Sequence, residues 1–161
     1  MVNKVYNILV VCTGNICRSP MAEGMLKKDL PERLAGRVAI SSAGTHALHG
    51  NMASPHAIEV MQGVGIDISG HRARQMSNTL VRSSNLILVM EKFHLRLVKL
   101  KSMLCPARAR MLTAYEDNQE RPYDVPDPMG EGIEAYEASA AIIHYCIKGV
   151  YAYLDTIIET R

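Results

Sequence analysis

The sequence predicts a three-layer α/β fold, a parallel sheet with helices on both faces, from three observations. Short apolar and β-branched runs alternate along the chain with segments of helical periodicity, the order expected of linked β-α units. The clearest runs, Ile8 to Cys12 and Leu86 to Met90, are apolar at consecutive positions, as strands covered on both faces are. A long amphipathic segment closes the chain and can pack along the sheet. At 161 residues the chain is long enough to bury a core without disulfides or a structural metal, and one domain over residues 1–161 is expected.

The first strand is Tyr6 to Val11, followed by a turn-like Thr13-Gly14-Asn15. Ser19-Pro20 supplies a helix start with proline at the first helical position, and Ala22, Met25, Leu26 and Leu30 follow at helical spacing. Val38 to Ser42 reads as a second strand. Ser54-Pro55 opens a second helix with Ala57, Ile58 and Met61 on one face, ending near Gly63 and Gly65. Ser77 to Ser83 is a short helix and Leu86 to Met90 the third strand. Phe93, Leu97, Val98 and Leu100 mark a further helix, and Ala109 to Leu112 a weaker fourth strand. Thr113 to Gly130, with Pro122, Pro126 and Pro128 among acidic residues, reads as a long surface loop of the kind that carries function. In Ile133 to Thr160, Ile143, Ile147, Val150, Leu154 and Ile157 recur at helical intervals, with Gly149 a weak point.

Composition excludes several classes. With 48% hydrophobic and 21% charged residues the chain lies in the ordinary globular range, away from disordered or collagenous sequences. Lys+Arg less Asp+Glu is 18 − 16 = +2, too even for a dedicated nucleic-acid or membrane-surface binder. No apolar run approaches the ~20 residues that span a bilayer, so no membrane insertion is expected. No secretory pattern precedes the first strand, and a cytoplasmic location follows as the expectation. The 4 cysteines, at positions 12, 17, 105 and 146, form no C-x-x-C pair and suit free thiols in a reducing compartment.

The chemistry is concentrated after the first strand, in Cys12-Thr13-Gly14-Asn15-Ile16-Cys17-Arg18-Ser19-Pro20. Cys-x5-Arg spacing alone is common by chance. Its position between strand and helix is informative, because the loop amides and the helix N-terminus there make an anion site that also favours a thiolate over a thiol. Cys12 is then a candidate nucleophile, and Arg18 a planar fork able to grip two phosphoryl oxygens. A nucleotide loop of the Walker type is disfavoured, since the Gly-Lys-Ser/Thr ending is missing, and no His or Cys pair completes a zinc set. Phosphoryl transfer to a thiolate needs an acid for the leaving oxygen and later a base for water. Asp127, fixed between Pro126 and Pro128, is a candidate, with Asp124 and Glu116 as alternatives.

These residues resemble those of the low-molecular-weight protein tyrosine phosphatases. The resemblance rests on Val11 to Pro20 and Asp127-Pro128, with Ser42-Ala43-Gly44 and Gly70-His71-Arg72-Ala73-Arg74-Gln75 also matching, and it spans the whole chain. It implies a four-stranded parallel sheet flanked by helices, no metal and no organic cofactor. Carried over, Cys12 is the nucleophile, Arg18 the phosphate clamp within the loop Thr13, Gly14, Asn15, Ile16, Cys17 and Arg18, and Asp127 the general acid and later base. Ser19 would hydrogen-bond the thiolate. Asn15 would be held in a left-handed conformation by Ser42 and His71, a conformation asparagine tolerates better than most residues.

The Ala47-Leu48-His49-Gly50 loop looks closest to bacterial members that act with tyrosine kinases of exopolysaccharide export. The implied partners are a phosphotyrosine protein, such as an autophosphorylated bacterial tyrosine kinase, and inorganic phosphate as product, with no nucleic acid. One departure is Met129-Gly130, where many relatives carry aromatic residues that stack on the substrate ring; methionine can pack on a ring through its sulfur and methyl groups. His46, Leu48 and His49 are expected on the opposite wall. An arsenate reductase of the same fold would relay electrons through two later cysteines close in sequence, whereas Cys105 and Cys146 are far apart. A phosphocysteine carrier would gain nothing from the hydrolytic base at Asp127. Cys17 is a candidate reversible disulfide partner for an oxidised Cys12.

Overall fold

The two inner strands of the sheet carry the longest apolar runs. In a computed structural model, which describes residues 4–102, 108–117 and 120–158, β1 (Tyr6–Cys12) is buried from Ile8 onward. Its alternate side chains enter two separate cores. Ile8, Val10 and Cys12 pack on one face, Leu9 and Val11 on the other, as the two-residue period of a strand requires. β1 pairs in parallel with β2 (Val38–Gly44) from Tyr6↔Val38 to Cys12↔Gly44. On its other side it pairs with β3 (Leu86–Val89), which in turn pairs with β4 (Arg108–Met111), all parallel.

The helices are α1 (Arg18–Lys28), α2 (Pro55–Gly63), α3 (Asn78–Ser83), α4 (Lys92–Lys101) and α5 (Ile133–Ile158), with 3-10 turns at Glu32–Leu34 and Leu112–Tyr115. The larger core takes side chains from α1, α2 and α5, such as Met21, Leu26, Met61, Ile143, Ile147 and Val150. The smaller one takes Val81 and Val98 from α3 and α4. The strand order β2-β1-β3-β4 reverses direction between β1 and β3. A crevice opens at the carboxyl ends of parallel strands at such a reversal, which is where ligands of open α/β sheets bind. The loop from Cys12 to Arg18 sits there.

Several sequence expectations are corrected. Helix α1 begins at Arg18 rather than at Ser19-Pro20, so Pro20 occupies the third helical position, where its missing N–H would have had no intrahelical acceptor. β2 runs to Gly44, two positions beyond Ser42. In α4 the buried face is His94 and Val98, while Phe93 and Leu100 are exposed. Thr113 is fully buried within a 3-10 turn rather than opening a surface loop. Gly149 is no weak point in a continuous α5: a Cβ there would collide with the Tyr115 carbonyl, so glycine lets the 3-10 turn press onto the helix. Thr160 and Cys105 lie outside the described residues. Among the described residues no helix is long and apolar enough to cross a membrane.

Candidate active site

Cys12 ends β1 with 2% exposure, and the loop that follows is fastened from outside by its carbonyls. Thr45 and His46 donate their N–H groups to the Cys12 and Thr13 carbonyls at 2.9 Å, and Ser54 donates to the Ile16 carbonyl at 2.8 Å. The N–H groups of residues 13–17, by contrast, donate to no acceptor among the described residues. Gly44 permits this closeness, because a side chain there would run into the Thr13 carbonyl and the Asn15 nitrogen. A pocket of about 290 Å³ opens over the loop, lined by Cys12, Thr13, Gly14, Ile16, Cys17 and Arg18 below and His46, Leu48, Asn51, Asp127 and Met129 around.

Asn15 is fully buried and has a φ of 56°, the one non-glycine residue with positive φ among those described. Its side chain explains how that is tolerated. The Arg74 backbone N–H can only donate, and it donates to Asn15 Oδ1 at 3.0 Å, which fixes which end of the amide is which. Nδ2 then donates to Ser19 Oγ at 2.8 Å and to Ser42 Oγ at 2.9 Å, while His71 Nε2 bonds the Asn15 carbonyl at 2.7 Å. With their oxygens accepting, both serines keep a hydroxyl proton to give. Ser42 gives its own to Glu23 Oε2 at 2.5 Å. Ser19 lies 2.9 Å from Cys12 Sγ and can donate to the sulfur. One polarised chain therefore runs from the Glu23 carboxylate through Ser42, Asn15 and Ser19 to Cys12, every donor and acceptor consistent.

Arg18 is a large charged side chain with 1% exposure. One nitrogen, Nη1, anchors it by donating to Glu91 Oε1 at 2.6 Å and to the Val125 carbonyl at 2.7 Å. Nη2 lies 3.3 Å from Asp127 Oδ2. Nε is buried with no protein partner, so on the Nε–Nη2 edge, the one that matches two oxygens of an anion, the Asp127 carboxylate at Nη2 is the one protein group in contact among the described residues. The three candidate acids separate cleanly. Asp124 accepts from the Lys92 N–H at 2.8 Å at the start of α4, and Glu116 accepts from the Tyr123 hydroxyl at 2.5 Å. Asp127 is the carboxylate that lines the pocket, its Oδ1 accepting from the Met129 N–H at 3.2 Å.

The neighbourhood contains residues that sequence reasoning missed. Glu91 and His94 follow β3; His94 is fully buried, its Nε2 2.8 Å from Thr13 Oγ1 and its Nδ1 without a partner. Burial holds the His94 imidazole down at about 4. Glu23 and Arg74 brace Asn15, and Asn51 joins the pocket wall. The sequence signal for Glu91 and His94 was their position at the carboxyl end of an apolar strand. His46, Leu48 and Met129 line the pocket, whereas His49, expected beside them, is exposed in a turn and is not among the lining residues. Phe93 stacks on His46, with ring centroids 6.1 Å apart and planes 15° apart, beside the pocket mouth.

Cys17 is buried and contacts Ser54 Oγ at 3.4 Å and the Tyr136 hydroxyl at 3.5 Å, and burial pushes its thiol up. Cys146 is buried in α5, its thiol pushed up to about 12 by burial. Cys105, the other later cysteine of the chain, lies outside the described residues. Among the described residues no group of three His, Cys, Asp or Glu side chains is placed to hold a metal ion.

Comparison with known proteins agrees with this geometry. Residues 7–157 match the family described as low molecular weight phosphotyrosine protein phosphatase. The chain is 38% identical to the probable low molecular weight protein-tyrosine-phosphatase EpsP of Ralstonia nicotianae over 95% of this chain and 97% of that protein. It is 42% identical to the low molecular weight protein-tyrosine-phosphatase Wzb of Escherichia coli strain K12, over 82% of this chain and 84% of that one. Among solved structures, the YwlE arginine phosphatase of Geobacillus stearothermophilus is similar with a TM-score of 0.82 and 32% identity, covering 94% of each chain. On its sequence, its sheet and the loop at the carboxyl end of β1, this chain belongs to the low molecular weight phosphotyrosine protein phosphatases.

Proposed function

We propose that the chain hydrolyses protein phosphotyrosine through a phosphocysteine formed on Cys12, with Arg18 as the phosphate clamp and Asp127 as acid and then base. The family makes it a protein-tyrosine-phosphatase, a phosphoric monoester hydrolase. The carrying observation is the Arg18 Nε, buried without a protein partner, in the same pocket as the Cys12–Ser19 pair. In the first step the Cys12 sulfur bonds phosphorus as the bond to the tyrosine oxygen breaks, and Asp127 gives its proton to that oxygen. In the second, Asp127 takes a proton from water, which displaces the sulfur and releases inorganic phosphate. The loop amides and Arg18 bear the charge of the equatorial oxygens throughout.

Ile16, Leu48 and Met129 present apolar surface on the pocket walls that suits an aryl ring and supports tyrosine as the phosphorylated side chain. The Ala47-Leu48-His49-Gly50 loop, with the likeness to EpsP and Wzb, supports a bacterial tyrosine kinase of polysaccharide production or export as the source of phosphotyrosine, in the cytoplasm, with residues 1–161 acting as one phosphatase domain.

The test is the dependence of rate on leaving-group acidity, measured when phosphorylation of Cys12 limits turnover. A phenol has a pKa near ~10, so its departure at neutral pH needs a proton donor. Asp127→Ala should lose turnover severely on phosphotyrosine and progressively less as the leaving group becomes more acidic. Asp124→Ala should keep the wild-type slope. An unchanged slope for Asp127→Ala would reject the acid assignment, and faster turnover of a phosphoarginine peptide than of its phosphotyrosine counterpart would reject the substrate.

A further inference from the structure

Helix α4 leaves the pocket mouth carrying Lys92, Arg96, Lys99 and Lys101 and no acidic residue. All four are exposed, and none forms an ion pair among the described residues. The nearest carboxylates are already engaged, Glu91 with Arg18 and Asp124 with the Lys92 N–H. The same face exposes two large apolar side chains, Phe93 at 47% and Leu100 at 66%. Phe93, Arg96 and Leu100 recur at helical spacing, forming one stripe flanked by Lys92 and Lys99. The chain has 1 phenylalanine, and it is spent here, stacked on the pocket-lining His46 rather than in either core.

We infer that this stripe is the docking surface for an acidic stretch of the phosphotyrosine protein, so that substrates carrying Asp or Glu near the phosphotyrosine are preferred. The inference rests on the tyrosine reading above. Charge complementarity and continuity with the pocket identify the occupant. A phosphotyrosine seated over Cys12 brings its flanking backbone out past His46 and Phe93, onto the start of α4. From Phe93 to Leu100 the helix advances about 10 Å at 1.5 Å per residue, which an extended peptide covers in roughly three residues. The favoured acidic positions are therefore about two to four residues from the phosphotyrosine. Apolar Phe93 and Leu100 would cover the methylene groups of glutamates whose carboxylates reach Arg96 and Lys99.

The experiment compares phosphotyrosine peptides carrying Glu at positions two to four on either side with the same peptides carrying Gln. kcat/KM is measured for wild type, for the double variant Arg96→Glu with Lys99→Glu, and for the neutral double variant Arg96→Gln with Lys99→Gln. Two exposed ion pairs support a preference of about three- to tenfold for Glu at low ionic strength, shrinking at high salt. The preference should disappear in the neutral variant, which removes both cations, and reverse in the acidic one. Turnover of para-nitrophenyl phosphate, which has no flanking residues, should be the same in all three proteins and reports that each is folded. Equal rates for Glu and Gln peptides overturn the inference, as does a preference the variants retain, or sedimentation of wild type with anionic lipid vesicles without any peptide preference. Failure to hydrolyse any phosphotyrosine peptide while para-nitrophenyl phosphate turns over overturns the tyrosine reading itself.

Discussion

Ser42→Ala removes one oxygen from the middle of the chain that runs from Glu23 to Cys12, and its effect can be worked out from its partners. Ser42 is 3% exposed, accepts from Asn15 Nδ2 and donates to Glu23. Without it, Asn15 keeps Ser19 as one acceptor and is left with a buried N–H that has none, a loss of about 1–3 kcal/mol. Beside the missing oxygen, however, lies a cavity of about 530 Å³ lined by Glu23, Ser42, His71 and Arg74 among others, from which water can replace part of the bond. The expected loss is therefore about 1–2 kcal/mol. Because the bond holds a residue at φ 56° in the loop beneath the pocket, the same loss should reach the reaction, lowering kcat/KM about five- to thirtyfold at 1.36 kcal/mol per decade. Urea unfolding in phosphate-free buffer, where no ligand props up the native state, gives the first quantity, and aryl phosphate hydrolysis the second. Glu23→Gln, which still offers Ser42 an acceptor, should stay within about 0.5 kcal/mol and twofold of wild type. The reasoning fails if Ser42→Ala leaves both quantities unchanged, or if Glu23→Gln is equally damaging.

Two further perturbations test the frame around the site. His94 faces Arg18, Glu91, Asp124 and Asp127 and is held neutral by burial, its value depressed from 6.5 to about 4. Its contribution is full above about 6.5 and is lost as pH falls toward about 4, because only the unfolded chain takes up the proton in that window; the loss approaches about 3 kcal/mol. Unfolding curves of wild type and His94→Gln across that window should differ in slope with pH, and parallel curves would remove His94 from the acid response. Gly149→Ala should lose at least about 2 kcal/mol by overpacking against the Tyr115 carbonyl, although alanine is the better helix former by ~1 kcal/mol; a melting temperature at or above wild type would show that the contact yields freely.

The sheet was readable because its strands are buried on both faces, and such strands leave no polar alternation to confuse the pattern. Ile8 to Cys12 and Leu86 to Val89 stand out for that reason. Helix faces were harder to read where function competes with packing. Phe93 and Leu100 look like core residues in α4, yet the buried position is His94, bonded to Thr13, and the apolar side chains face solvent. Gly149 misled in the opposite sense. A glycine inside a helix lowers intrinsic propensity, and nothing local reveals that the Tyr115 carbonyl, from a turn far earlier in the chain, requires the missing side chain.

The candidate site shows the same division between local and distant information. Cys12, Asn15, Arg18 and Ser19 lie within eight consecutive residues; the placement of that stretch between strand and helix points to Cys12 and Arg18, and the family resemblance adds Asn15 and Ser19. Glu91, which grips Arg18, and His94, which grips Thr13, are far away in sequence and have no recognisable spacing from Cys12. Sheet order supplies the missing link. Once β3 is known to lie beside β1, the residues that leave the carboxyl end of β3 must run next to the loop that leaves β1. Met90 N–H indeed bonds the Val11 carbonyl, and the Val125 N–H bonds Met90 in turn, which draws the proline-rich loop and Asp127 over the pocket. The third strand was placed from its apolar run alone, so the position of Glu91 was already available. What the run could not disclose was its neighbour, because strand pairing is set by the packing of all five helices on the two faces and not by either strand alone.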